Sequence, residues 1–258
     1  MSGKERDEVR ARRYAGVARL YGEAASLRFA RTHIAVVGLG GVGSWAAEAL
    51  ARSGVGALTL IDLDHIAESN INRQLHALTD DIGRAKVEAM AERIARIDAH
   101  CRVTAIDDFL TPENCAALLA NCDAVFDAVD DVQAKAAMVS WCREQARPLV
   151  VCGAAGGQRD ATAIRHADLA LVRNDALLAK LRSRLRRDHG FPRGVVKGRV
   201  KPFHVSAVFV DAAPTASPLA CAPGAALNCA GYGSVMHVTA GIGLAAAGVL
   251  LDHIAALP

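Results

Sequence analysis

Between residues 31 and 152 the chain alternates short continuous apolar runs with longer stretches in which apolar residues recur every three or four positions. The short runs, HIAVV at 33–37, ALTLI at 57–61 and those at 102–106, 123–127 and 148–152, have the length of strands buried on both faces. The longer stretches, 44–52, 83–97, 111–119 and 132–146, are rich in good helix formers and predict helices. Strict alternation of the two predicts an α/β fold, a mostly parallel Rossmann-like sheet covered by helices on both faces. Upstream, Leu20, Leu27 and Phe29 among polar residues predict one or two short amphipathic helices over 14–30, and residues 1–13 read as a frayed polar tail. After Gly153 the rhythm breaks into GGQ at 156–158, a basic helix over 176–187, a Gly- and Pro-rich loop, a strand over 205–210 and an apolar helix over 232–251. Three segments result: helical 1–30, the alternating 31–152, and an α+β extension, 153–258, that does not fold independently.

Composition sharpens this reading. With 52% hydrophobic and 22% charged residues the chain can bury a sizeable core, and 4% aromatics suit packed α/β layers better than a β-sandwich. Seven cysteines, none spaced Cys-x-x-Cys, indicate neither a disulfide framework nor a zinc ribbon. A charged N-terminus with no apolar run behind it is not a secretory signal, so a cytoplasmic location is expected. The stretch 232–251 carries no formal charge with His237 neutral and nears the length of a bilayer span. Its four glycines, His237 and Thr239, and the absence of flanking aromatic or basic belts favour a core or interface helix, and no membrane span is expected.

The first predicted strand ends in Gly38-Leu-Gly40-Gly41-Val-Gly43 and leads into a helix. Gly38 permits a tight turn, Gly40 a close backbone approach to a phosphate, and Gly43 close packing of helix on strand. Asp62 ends the second strand 19 residues beyond Gly43, where an acid commonly meets ribose hydroxyls. This unit fits NAD and ATP equally. The run SNINRQ at 69–74 separates them: Arg73 offers a fork of donors matched to phosphate oxygens, of no use to a hydride-transfer enzyme that never cleaves its pyrophosphate. Lys86 can add a second cation, and Asp130, beyond the end of a strand, can hold Mg²⁺ on the phosphates.

The continuous pattern from Gly38 to Gln74, GxGGxGS followed by DxDxxxxSNxNRQ, resembles the ubiquitin-activating superfamily, whose members adenylate carboxylates. The resemblance assigns Gly41 and Asp62 to ATP, Asn70, Arg73 and Lys86 to its phosphates, and Asp130 to metal and ATP, with Asp64, Asn72 and Gln74 in the same nucleotide-binding motif. It implies an obligate homodimer in which Arg73 reaches into the partner's site. Sulfur-carrier branches usually hold zinc on two Cys-x-x-Cys pairs, which this chain lacks. ARLYG at 18–22, GSWAAE at 43–48, GGQRD at 156–160 and NCAGYG at 228–233 instead resemble the branch that cyclises threonylcarbamoyladenosine in tRNA. ATP, Mg²⁺, a monovalent cation and a sulfur-transfer partner follow as expectations of that likeness. Cys229 reads as a buried small residue, with a reactive thiol as the alternative.

Charge supports a nucleic-acid substrate independently. Nine Lys and Arg lie between 180 and 201 against the single acid Asp188, while the whole chain carries only +3. Lys180, Arg182, Arg184, Arg186 and Arg187, on one helix, are the expected tRNA contacts. The rival readings are a sulfur-carrier-protein adenylyltransferase and an NAD-dependent oxidoreductase.

Overall fold

A computed structural model describes residues 3–196, 199–215 and 232–257. Cys229 and Lys197 lie outside the described residues. The chain runs α1 (Gly3–Tyr21), α2 (Glu23–Arg31), β1 (His33–Val37), α3 (Gly43–Arg52), β2 (Ala57–Ile61), α4 (Lys86–Ile97), β3 (Arg102–Ile106), α5 (Cys115–Leu119), β4 (Ala124–Asp127), α6 (Val132–Glu144), β5 (Leu149–Cys152), β6 (Ile164–Asp168), α7 (Ala176–Asp188), β7 (Val195–Val196), β8 (Arg199–Val200), β9 (Ser206–Val210) and α8 (Met236–Ala255).

Seven strands form one sheet in the order β3-β2-β1-β4-β5-β9-β6, parallel except where the edge strand β6 runs antiparallel to β9. The β-branched runs alternate their side chains between two cores. Ile34 and Val36 face one layer with Leu50, Met90, Ile94, Ile242 and Leu250 from α3, α4 and α8. Ala35 and Val37 face the other, with Leu119, Met138, Leu178 and Leu181 from α5, α6 and α7. Strand order reverses between β1 and β4, which opens a crevice beyond their carboxyl ends, where ligands of such sheets bind.

Three expectations are corrected, and one strand was not expected. Residues 3–13 are not a frayed tail but the first turns of α1, kinked at Tyr14. The buried carboxylate of Asp98 holds them: the Tyr14 hydroxyl donates to Asp98 Oδ2 at 2.7 Å, Arg10 and Arg13 lie within 4.0 Å of it, and Arg10 also donates to the Gly54 carbonyl. Helix α4 starts at Lys86, not 83, because Gly83 takes φ +89°. The apolar C-terminal helix is displaced four residues, to Met236–Ala255. It is long and apolar enough to cross a membrane, yet Val238, Ile242, Ala246, Leu250 and Ile254 are buried in the core. Finally, β6 has no apolar run to announce it, since an edge strand with exposed Arg165 and His166 needs none.

Candidate active site

The glycine turn closes over the carboxyl end of β1. Gly38 takes φ +86°, and a β-carbon there would lie 3.0 Å from the Ala128 carbonyl, so a side chain is barred twice over. A β-carbon on Gly43 would overlap the Gly38 carbonyl oxygen, which fixes α3 against the turn. On Gly41 it would meet Thr239 at 3.0 Å and the Arg73 Cγ at 3.2 Å; on Gly40 it would meet nothing within 4 Å. Space therefore opens in front of Gly40, at the positive end of the ten-residue helix α3. Among the described residues, nothing accepts a hydrogen bond from the N–H of Gly40 or Gly41.

Asp62, at the end of β2, is buried and does more than await a ribose. Its Oδ2 accepts from the Leu39 N–H at 2.6 Å and its Oδ1 from the Asp64 N–H at 2.9 Å, so it anchors the glycine turn. Lys86, also buried, donates to Asp64 Oδ2 at 2.6 Å and stands 3.6 Å from Asp62. The cation thus sits beside the turn, held by two acids.

The run at 69–74 folds onto the same edge. The Asn70 carbonyl accepts from the N–H groups of Arg73 and Gln74, and its side chain caps the turn by accepting from the Ala67 N–H. The Leu75 N–H donates to Ser44 Oγ at 3.2 Å and Trp45 Nε1 to the Arg73 carbonyl at 3.0 Å, which ties the run to α3. Asn72 donates to the Ser234 carbonyl, ahead of α8. Arg73 packs its Cγ on this chain's own Gly41, and its Nη1 donates to the Ser69 carbonyl and Asn72 Oδ1. No carboxylate pairs with it among the described residues, so its charge is uncompensated. Gln74 and His76 are buried just behind, with Gln74 Oε1 and both His76 ring nitrogens unpartnered among the described residues. Burial, with Lys86 nearby, pushes the His76 pKa down to about 4.

Asp130 is exposed on the loop between β4 and α6, directly before Asp131, which caps α6 by accepting from the Ala134 N–H. Beneath this loop lies a pair that sequence reasoning missed. Lys135 and Asp127 are both fully buried, 3.0 Å apart; Lys135 also donates to the Cys152 carbonyl, and Asp127 accepts from the Val129 N–H. Burial raises the Asp127 carboxyl's pKa although Lys135 opposes it. The pair fixes the start of the Asp130 loop, and its one sequence signal was a lysine on the apolar side of α6. Ser44, Trp45 and Thr239 were missed as well, because nothing local marks them as neighbours of Arg73.

The basic helix α7 divides. Lys180, Arg184 and Arg187, with Ser183, line a 410 Å³ concavity that reaches Val132 at the first turn of α6, next to the Asp130 loop. Arg184 and Arg187 share Asp188 as an ion-pair partner. Arg182 and Arg186 do not join them. Arg182 turns inward, its Nη1 buried and its pKa lowered by burial, while Arg186 lies 5.2 Å over the Phe203 ring and donates to the Pro192 carbonyl.

The chain is similar to known proteins over nearly its whole length. The model of the ThiF family matches residues 11–253. The tRNA threonylcarbamoyladenosine dehydratase of Escherichia coli is 49% identical over 245 residues, 91% of this chain and 90% of its own. That of Haemophilus influenzae is 42% identical over 247 residues, 94% of this chain and 93% of its own. The solved structure of the Escherichia coli enzyme in complex with ATP superposes with a TM-score of 0.84 at 46% identity, covering 95% of this chain and 94% of that one. The same enzyme has been solved with AMP, also at a TM-score of 0.84.

Proposed function

The chain belongs to the ThiF family, and we propose that it uses ATP to adenylate the carboxylate of threonylcarbamoyladenosine in tRNA and then closes that modification into a ring. The observation that carries this reading is the convergence at Gly41, where the glycine turn, the unpaired Arg73 and Thr239 of α8 meet in front of the open Gly40. The open space, the free N–H groups and the cations fit a nucleotide triphosphate. Binding of both ATP and AMP by the related enzyme accords with adenylate chemistry.

A carboxylate resists substitution because its leaving group would be oxide. One carboxylate oxygen attacks the α-phosphorus of ATP, pyrophosphate leaves with its bonding electrons, and an acyl-adenylate forms. Arg73 and Lys86 stabilise the negative charge that grows on the phosphates, in a site whose donors are already in place. A nucleophile of the same modification then attacks the acyl carbon, loses its proton and expels AMP. The sum is loss of one water, and tethering of the two reacting groups leaves mainly positioning to the protein. Asp130 would hold Mg²⁺, a hard cation that suits one exposed carboxylate with the rest of its shell from phosphate and water, and it would supply further charge neutralisation. Asp62, Asp64, Asn70, Asn72 and Gln74 shape the nucleotide site, and the α7 face of Lys180, Arg184 and Arg187 receives tRNA phosphates.

Leu63 and Ile71, which adjoin Asp62, Asp64 and Asn70 in the chain, are exposed, as are Leu78 and Ile82 further along the same segment. A second copy of the chain that covers them would keep water from the activated acyl group, which supports a homodimer. Residues 31–152 then serve as the ATP-binding region and 153–258 as the substrate-binding and dimerisation extension. A cytoplasmic location, a monovalent cation and a sulfur-transfer partner complete the proposal on the strength of the resemblance. The test is nucleoside mass analysis of tRNA treated with the purified protein and ATP. The modified adenosine is expected to become lighter by one water; tRNA returned unchanged in the presence of ATP would refute the activity.

A further inference from the structure

Away from the nucleotide, at the amino-terminal edge of the sheet, a second cavity of 260 Å³ opens between the ends of α6 and α8 and the starts of β5 and β9. Its polar lining is Arg143, Arg147, His204, Ser206 and His253. No carboxylate lines it. Three acids stand behind it: Asp168, whose carboxylate accepts from the N–H groups of the lining residues Phe203 and His204, Asp123, 3.4 Å from Arg147, and the exposed Asp252 beside His253. The cations are held in place before any ligand arrives. Arg143 lies 4.1 Å over the Phe191 ring and donates one N–H to the His189 carbonyl, which leaves most of its five donors free. Ser206 Oγ stands 3.2 Å from His253 Nε2 and 3.1 Å from His166 Nε2, so one hydroxyl orients both rings. Concavity, two guanidinium groups and two imidazoles describe a site for a phosphate.

The helix α7 connects this cavity to the reaction site. Its cap Asp175 accepts from the N–H of Ala154, just past the carboxyl end of β5. Its far end is His189, whose carbonyl Arg143 holds. Thirteen residues span about 20 Å, the reach of several nucleotides. Lys180, Arg184 and Arg187 mark the way between.

We propose that the Arg143–Arg147 cavity is a distal subsite for a backbone phosphate of the tRNA, the end of a cationic track along α7 that begins beside Asp130; this takes the tRNA substrate proposed above as its premise. Recognition here is of phosphate and not of sequence, so it adds affinity and register without touching the reacting nucleotide.

The experiment measures binding of unmodified tRNA as a function of salt, for the wild type, for Arg143→Gln/Arg147→Gln, and for Arg143→Lys/Arg147→Lys as a charge-keeping control of folding. The neutral variant is expected to bind several-fold more weakly, with the slope of log affinity against log salt reduced by about one contact. The lysine variant should retain the wild-type slope, and exchange of pyrophosphate into ATP with the modified nucleoside alone should be equal in all three. Equal slopes for wild type and the neutral variant would overturn the subsite even with ring closure intact. A reduced slope in a protein that cannot close the ring would keep the subsite and sink the activity. Saturable binding of inorganic phosphate that is lost in the neutral variant, with tRNA binding unaltered, would assign the cavity to a free anion and overturn the proposal.

Discussion

In the proposed reaction the chemistry turns on Arg73, a cation at the glycine turn that no acid neutralises among the described residues. Arg73→Ala is expected to slow adenylation by on the order of 10²-fold or more, since a preorganised donor to developing charge is lost. Its melting temperature should match the wild type, because the guanidinium's bonds reach only the exposed neighbours Ser69 and Asn72. A variant with unchanged single-turnover rate would remove Arg73 from the site. His76 gives a prediction in pH. Burial holds its pKa at about 4 against 6.5 when unfolded. Between those values the unfolded chain binds the proton and the folded one does not, so stability is full above about pH 6.5 and falls as pH drops toward 4. The shift bounds this loss at about 3 kcal/mol. His76→Leu should flatten the acid-side decline in denaturant titrations at pH 7 and pH 5; a slope identical to the wild type would show that His76 does not titrate in that window. The place of Arg73 at the glycine turn was legible because its motif was contiguous, and that of Asp62 because it ends a strand. Lys135 and Trp45 were not, because the helical pattern around each accounts for the residue without a partner.

At the level of elements, the glycine turn separates stability from function. Gly43→Ala forces a methyl group into the Gly38 carbonyl and should destabilise the fold by about 1–3 kcal/mol or more, read as a lower denaturation midpoint. Gly40→Ala meets no protein atom, so it should leave that midpoint in place while weakening ATP binding, read by calorimetry. If both variants lose stability alike, the turn has no space reserved for phosphate. The βαβ order that places this turn was readable, since strands buried on both faces leave unbroken apolar runs. The helix over residues 3–13 was not, because it is held by the distant Asp98 instead of by an apolar stripe of its own. For α7, the run of basic residues was legible but its division was not: packing against Phe203 and burial near Asp175 take Arg186 and Arg182 off the outward face.

Across the whole molecule, the sheet brings together residues that the sequence keeps far apart. The switch between β1 and β4 sets Gly38 against Ala128, and the return of α8 sets Thr239 against Gly41. The parallel half of the sheet followed from alternation alone, but the insertion of β9 between β5 and β6 did not, because no local pattern states which strand a late segment joins. This arrangement places a basic helix from the extension beside the carboxyl edge of the sheet and so, in the proposed function, would unite an ATP site with a path for tRNA. The chemistry depends on attack by the tRNA's carboxylate at the α-phosphorus, and the fate of the carboxylate oxygen reports it. With a heavy-oxygen label in that carboxylate, one labelled atom is expected in the AMP released for each ring closed. Label recovered in inorganic phosphate, with ADP as co-product, would mean attack at the γ-phosphorus and would contradict adenylation.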